Sequence, residues 1–401
     1  MPRHPAPTGK VLLLLTVILG CLTMFGPIGI DMFLAGVPDI AIGLNTTPNR
    51  VIASISALLL GNAVGQLLLG PLSDRYGRKP IILLTLIIFL GAALAAGLSL
   101  TIDQFIFWRF VQGLAISTGR SLAASVARDL FEREQLGKMM ADVLFVTALS
   151  AIFFPIIGGQ IVEHLSWQWL FWAMVIFGLT LFLLVIFCYT ETIEQKNPNA
   201  VSPRYLLINW IETVRHPVFL RYTLCSSFTM GGFGAYLAIS STVLRGAFEV
   251  SGEGYGFLYA IVASFFMVSA FSSGRIISKL GQHKLIAVGV TVGLASGILM
   301  MALVWLDIRE PLAVVMPMAF YCFGFGWVFP QANSLALQPF PDSAGAAAAL
   351  QGFISSITSA GVGFLLSLVI HTNAFYLALA VLICSILASM IYFFVIRPYK
   401  V

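Results

Sequence analysis

Gly70-Pro71-Leu72-Ser73-Asp74-Arg75-Tyr76-Gly77-Arg78-Lys79 separates two long apolar runs, and 204 residues further on Gly274-Arg275-Ile276-Ile277-Ser278-Lys279-Leu280-Gly281-Gln282-His283 separates two more. Each copy reads as glycine, three residues, a polar residue, a basic residue, one further residue and a second glycine. The shift is close to half of the 401-residue chain. A polar turn that returns at the same place in each half marks a duplicated helical unit, and such repeats build transporters around a central site.

Outward from these turns, apolar runs cover about 11–37, 49–72, 79–99, 104–127, 138–163 and 167–189, then 219–244, 253–277, 284–305, 311–336, 344–370 and 373–396. The composition agrees: 59% of residues are hydrophobic and 10% charged, where a soluble chain carries about a quarter charged. In lipid each run must be a helix, because an unpaired backbone amide there costs several kcal/mol. The expected fold is therefore an all-α membrane protein of twelve transmembrane helices in two pseudo-symmetric six-helix bundles. The expected units are residues 1–190, a polar linker at 191–218 and residues 219–401. Trp210 and its apolar neighbours place a short interfacial helix in that linker.

Orientation follows from the basic residues. If the N-terminus is cytoplasmic, Arg50, Arg245 and Arg309 lie outside and Arg109 and Arg120 lie within the fourth span. All the other Lys and Arg, out of 22, then fall in cytoplasmic segments. Both termini are expected inside. The first run lacks a small-residue cleavage site and reads as a retained helix. The formal charge of +5 is spread through short loops rather than along one face, so no nucleic-acid partner is expected. The five cysteines stand singly, with no Cys/His cluster, so neither a disulfide framework nor a metal or cofactor is expected. No GxxxxGK[ST] occurs, which leaves an ion gradient rather than ATP as the energy source. An enzyme would need paired acid/base groups or metal ligands facing one cavity, and the sequence offers neither.

Gly70-PLSDRYGRKP resembles motif A of the major facilitator superfamily. Arg109-Phe-Val-Gln112-Gly113 is similar to its motif B, Arg128-Asp129-Leu-Phe to the end of its fourth helix, and Pro155-Ile-Ile-Gly158-Gly159 to its motif C. With Ile30-Asp31-Met32-Phe33-Leu34 and Ser166-Trp167-Gln-Trp169, these resemble the Bcr/CflA branch of drug/proton antiporters. Motif C has glycine before its proline, whereas Phe154 stands here. The resemblance implies a proton-driven exporter of small organic molecules in the bacterial inner membrane, acting as a monomer. Uptake of a specific solute, such as a nucleoside, with protons remains the alternative.

Asp31 lies inside an apolar run, where a carboxylate costs a few kcal/mol and needs a reason. Burial disfavours its charged form, which suits a proton carrier; a fixed ion pair, or a carboxyl facing water, is the bland alternative. Arg109 is the expected partner, with Gln112 one turn away able to bond the same carboxylate. Arg120 either adds a second cation to the cavity or snorkels to the boundary. By resemblance, Gly70, Asp74, Arg75, Gly77 and Arg78 form a cytoplasmic latch. Asp74 would cap a helix of the other half, and Arg78 would pair with Asp129; plain topology charge is the alternative. The second half has no acid within a span and offers Phe228, Met230, Phe233 and Tyr236, then Tyr321, Phe325, Trp327 and Asn333. Such groups suit loosely specified apolar ligands, or simply pack. Asn62 and Gln66 share a helix face and either touch ligand or bond between helices.

Overall fold

The computed structural model describes residues 9–131, 133–193, 196, 198, 200–340, 344–369 and 373–396. Most of these residues are helical, with no strand among them. The first half contains α1 (Gly9–Thr23), α2 (Phe25–Leu34), α3 (Val37–Gly43), α4 (Pro48–Tyr76), α5 (Arg78–Gly97), α6 (Ile102–Ile116), α7 (Thr118–Leu130), α8 (Arg133–His164) and α9 (Gln168–Cys188). After α10 (Pro203–Arg215) come α11 (Pro217–Ser241), α12 (Gly252–Trp305), α13 (Leu312–Leu337), α14 (Ala344–Ser367) and α15 (Ala374–Met390).

Eight described helices are long and apolar enough to cross a bilayer, and the pair α1–α2 makes a ninth span bent by 46°. Pro27 explains that bend: it cannot donate to the carbonyl of Thr23, and the helix breaks at Met24. The 54 residues of α12 are two spans meeting at Gly281. Counting α6 with α7, which follow each other across Ser117, and the 25-residue α11 as spans gives the expected twelve. Gly77 and Gly281, the closing glycines of the repeated turn, both have positive φ, +114° and +76°. The repeat is therefore one backbone device used twice: a glycine-only conformation that turns one span into the next.

Two cores hold the molecule. The larger runs through both halves, from Leu19 and Phe33 to Tyr236, Tyr255 and Val314. The smaller gathers Phe219, Cys225, Ile286, Val328 and Tyr392 in the second half, with Trp210 of α10 packed on it. The rest of α10 turns Leu207, Ile208 and Ile211 outward, as an interfacial helix requires.

The halves meet along α4 against α14 and α8 against α12. Their polar links gather toward one end, here named for Arg245, opposite the Arg78 end. Arg245, in the π-helical last turn beyond α11, binds Asp39 and the carbonyl of Ala35. Glu163 accepts from the Gly252 amide at 2.9 Å, and Asn49 donates to the Val369 carbonyl at 3.0 Å. The protein is closed at the Arg245 end.

Candidate functional site

Asp31 sits in α2, 8% exposed, one turn short of the Arg245 end. Its Oδ1 accepts a 2.8 Å hydrogen bond from the hydroxyl of Tyr259, 228 positions away in the other half. Tyr259 is held in turn: its ring lies 5.8 Å from that of Tyr236, nearly parallel, and 6.1 Å from that of Tyr255. Tyr255 is fixed by a 2.9 Å bond with Ser240. Gly252, Gly256 and Tyr259 share one face of α12 by their spacing. The two glycines let α12 touch α8: a Cβ on Gly256 would sit 2.5 Å from the Pro155 carbonyl, and one on Gly159 would meet the Gly252 carbonyl. Gly158 packs with equal closeness on the carbonyl of Met32, the neighbour of Asp31. Pro155, Gly158 and Gly159 thus lie in the same seam as the carboxyl. Phe154 does not: its ring faces Phe177 of α9 at 6.1 Å, inside its own half.

Arg109 is not ion-paired with Asp31, contrary to expectation. It is fully buried, donates from Nη1 to Gln112 Oε1 at 2.5 Å and from Nη2 to the Gly29 carbonyl at 2.8 Å. Its guanidinium lies 4.1 Å from the centre of the Phe33 ring, an attraction between cation and ring face. Gln112 is occupied as well, giving its amide oxygen to Arg109 and its Nε2 to Met174 Sδ at 3.3 Å. The Gly29 carbonyl and the Phe33 ring, two positions before and two positions after Asp31, capture the guanidinium and hold it off the carboxyl.

At the Arg78 end the side chain of Arg78 reaches Asp129 at 3.1 Å, Asp74 at 2.5 Å and Ser73 at 2.6 Å. The expected Arg78–Asp129 pair therefore forms. For Asp74, the partner among the described residues is Arg78; the expected cap on the other half falls at residues 341–343, just before α14, which lie outside them. Arg75 is exposed beside the Tyr76 ring, and Gly70 lies in α4 with open space where a Cβ would point. The group missing from the sequence reading is Glu191. Its carboxylate accepts from the amides of Arg78 at 2.9 Å, Lys79 at 3.1 Å, Thr192 at 2.9 Å and Ile193 at 3.2 Å. It caps the N-terminus of α5, where the helix dipole favours an anion. A Cβ on Gly77 would run into this carboxylate, a second reason for glycine there. Lys79 Nζ completes the hub by bonding the carbonyls of Ile186 and Tyr189 at the end of α9. Burial raises the Tyr189 phenol above its ordinary range, so it acts as a neutral hydroxyl toward Thr192 at 3.1 Å.

A sequence model of the Major Facilitator Superfamily matches residues 19–363. The chain belongs to that superfamily. Over 94% of both chains it is 29% identical to the "Bicyclomycin resistance protein homolog" of Haemophilus influenzae. It is 26% identical to the "Multidrug resistance protein MdtL" of Klebsiella pneumoniae over 95% of both. The resemblance to the Bcr/CflA branch holds. Among solved structures, the xylose transporter XylE from E. coli, in a partially occluded inward-open conformation, superposes with a TM-score of 0.76 over 98% of each chain at 13% identity, a likeness of fold.

In a superfamily that moves small molecules through a membrane, the groups around the centre of the bundle matter. Phe233 and Phe325 stack at 5.5 Å, and Phe266 and Phe329 join them at 5.5 and 5.1 Å. Phe233 is half-buried. Tyr236 is buried, its hydroxyl without a described partner. Tyr321 is 1% exposed and donates to the Thr229 carbonyl at 2.7 Å within its own half, where it lines a small cavity with Thr229 and Phe325. Trp327 likewise donates to the Ser269 carbonyl at 3.1 Å. Asn333 accepts from Gln351 at 2.8 Å. Asn62 and Gln66 both donate to Ser356, at 3.2 and 3.1 Å, and so bond across the halves. The side chain of Arg120 lies outside the described residues; its backbone is in α7.

Proposed function

We propose that the chain is a proton-coupled secondary transporter that exports small amphiphilic drugs or metabolites by alternating access, with Asp31 carrying the proton. One observation carries this reading: a carboxyl shielded inside the first span takes its hydrogen bond from the opposite half, so its charge state and the packing of the halves are tied together. The uneven distribution of Lys and Arg puts the Arg78 end and both termini in the cytoplasm of a bacterial inner membrane. The structure is then the outward-closed form. Residues 1–190 and 219–401 are the rocking units, joined by 191–218, and a single chain suffices. Arg109 and Gln112 brace the first span beside Asp31. The Arg78–Asp74–Asp129 hub, with Gly70, Arg75 and Gly77 in its loop, is the cytoplasmic latch. The half-buried phenylalanines around Phe325 offer stacking surface to apolar substrates. The names of the relatives, bicyclomycin and multidrug resistance, agree with export of drugs.

The test is transport in proteoliposomes with an imposed proton gradient and an internal pH dye, presenting phenicols, other drugs and nucleosides to the native chain and to Asp31→Asn. Protons moving opposite to a drug, with that movement absent in the variant and drug exchange retained, is the expected result. Gradient-driven transport by Asp31→Asn at the native rate overturns the assignment of Asp31. Protons moving together with a nucleoside would make the chain an importer.

A further inference from the structure

Among the described residues, the hydrogen bond between Tyr259 and Asp31 is the one polar contact at the carboxyl that would be lost if the halves part at the Arg245 end. Its donor is fixed in advance by the second half, through the stacking on Tyr236 and the tilted contact with Tyr255. Its position on α12 is also fixed, because Tyr259 continues the face on which Gly252 and Gly256 meet α8. A phenol hydrogen-bonded to a carboxylate holds roughly twice as strongly as one bonded to a neutral acid. The seam that closes the outer end therefore contains one contact whose strength depends on whether Asp31 carries charge.

We propose that Tyr259 is a positioning residue that keeps the empty, deprotonated carrier closed to the outside. This rests on the reading of Asp31 as the proton carrier and goes beyond it: it assigns to Tyr259 the prevention of uncoupled cycling. In exchange transport, a carrier that has released its proton inside must not reopen outward until substrate is loaded, or the gradient is dissipated. Ionised Asp31, gripped by Tyr259, supplies that restraint, and substrate entering beside the carboxyl or a proton arriving on it releases the grip. Three other charged groups near the seam make bonds of their own. Arg109 is held by Gly29 and Gln112, Arg245 by Asp39 and Ala35, and Glu163 by the Gly252 amide.

The experiment reads the seam directly. Val162 is buried against Gly252 and Gly36 at the outer end. A Val162→Cys thiol, in a chain with the exposed Cys188 replaced by serine, reports opening through its rate of labelling by an impermeant maleimide added outside without drug. Labelling is expected to be slow with Tyr259 and Asp31 in place. It should rise on the order of tenfold in Tyr259→Phe, and similarly in Asp31→Asn. The double variant should label no faster than the single ones, as two substitutions removing the same contact must. Tyr259→Phe should also leak protons in drug-free vesicles, a leak that Asp31→Asn abolishes. Native labelling in either single variant, or additive effects in the double, overturns the role of Tyr259. Asp31→Asn is the independent arm should Tyr259→Phe fold poorly. If instead Asp31→Asn still couples drug to protons, the carrier assignment fails, a result separate from these labelling rates.

Discussion

Replacing Glu191 tests whether the Arg78 end is held by one carboxylate or by the several ion pairs around it. Glu191→Gln leaves an oxygen for part of the work but puts an amide N–H₂ against one of the donors, removes the charge at the N-terminus of α5, and weakens every bond that remains. An anion at a partly buried helix N-terminus contributes up to about 2 kcal/mol, and a hydrogen bond to a charged group about 1.5–3 kcal/mol. Glu191 is half-buried, and water recovers part of this, so about 2 kcal/mol is the expected cost. Glu191→Ala strands all four amides, and the cost rises to about 3–4 kcal/mol. For a unit of roughly 200 residues each kcal/mol moves the midpoint by about 2–4 °C. The glutamine variant should therefore melt about 4–8 °C lower in a detergent thermal-shift assay, and the alanine variant lower still. Glu249→Gln, the same charge change at an exposed position, is the control and should melt with the native chain. If Glu191→Gln also melts within about 1 °C of native, the hub rests on Arg78, Asp74 and Asp129, and the reasoning about Glu191 is refuted.

Two further outcomes follow from packing. Gly256→Ala places a methyl against the Pro155 carbonyl, and overpacking of this kind costs about 1–3 kcal/mol. Because the strain exists only while the seam is shut, the variant should shift toward the outward-open form, seen as faster outside labelling of Val162→Cys; an unchanged rate counts against the seam. Arg109→Lys keeps the charge but loses the planar fork that serves Gly29 and Gln112 together. It should lower thermal stability by about 1–3 kcal/mol and cut transport, and native melting with native transport would show that the fork is idle.

The spans and the repeated turn were readable because both depend on local rules: apolar length for the spans, and a glycine that allows positive φ for the turn. Gly77 and Gly281 were visible as a pattern and proved to share a conformation. The Arg78–Asp129 contact was legible through resemblance. Three other things were not. Tyr259 touches Asp31 across 228 positions and Glu191 caps α5 across 113, and no spacing rule links residues so far apart. A signal for the first did exist: Gly252, Gly256 and Tyr259 line one helix face, the mark of a close-packed surface ending in a polar tip. Glu191 passed as one charge among several in a polar linker, because a capping carboxylate looks like any other until its helix is placed. Tyr321 was obscure for the opposite reason. Aromatic residues on an apolar helix look alike from sequence whether they face a cavity or a neighbouring helix, and here the residue borders a small cavity while the Thr229 carbonyl takes its hydroxyl.

The separation of Asp31 from Arg109 has a physical consequence for proton exchange. Had the two formed a buried ion pair, each protonation of Asp31 would leave a fully buried guanidinium without its partner, a cost of about 3–5 kcal/mol to be met on every cycle. With both terminal nitrogens of Arg109 held by Gln112 and the Gly29 carbonyl and its plane on the face of Phe33, those contacts do not change when Asp31 gains or loses charge. The carboxyl instead faces a phenol, which bonds both of its forms but prefers the ionised one. The difference between those two strengths is small enough to be overcome by a proton or a substrate and large enough to bias the seam. A fixed cation braced by its own helix neighbours, beside an acid whose only described partner lies across the interface, is therefore the arrangement in which charge at Asp31 is converted into movement between the halves rather than into strain within one of them.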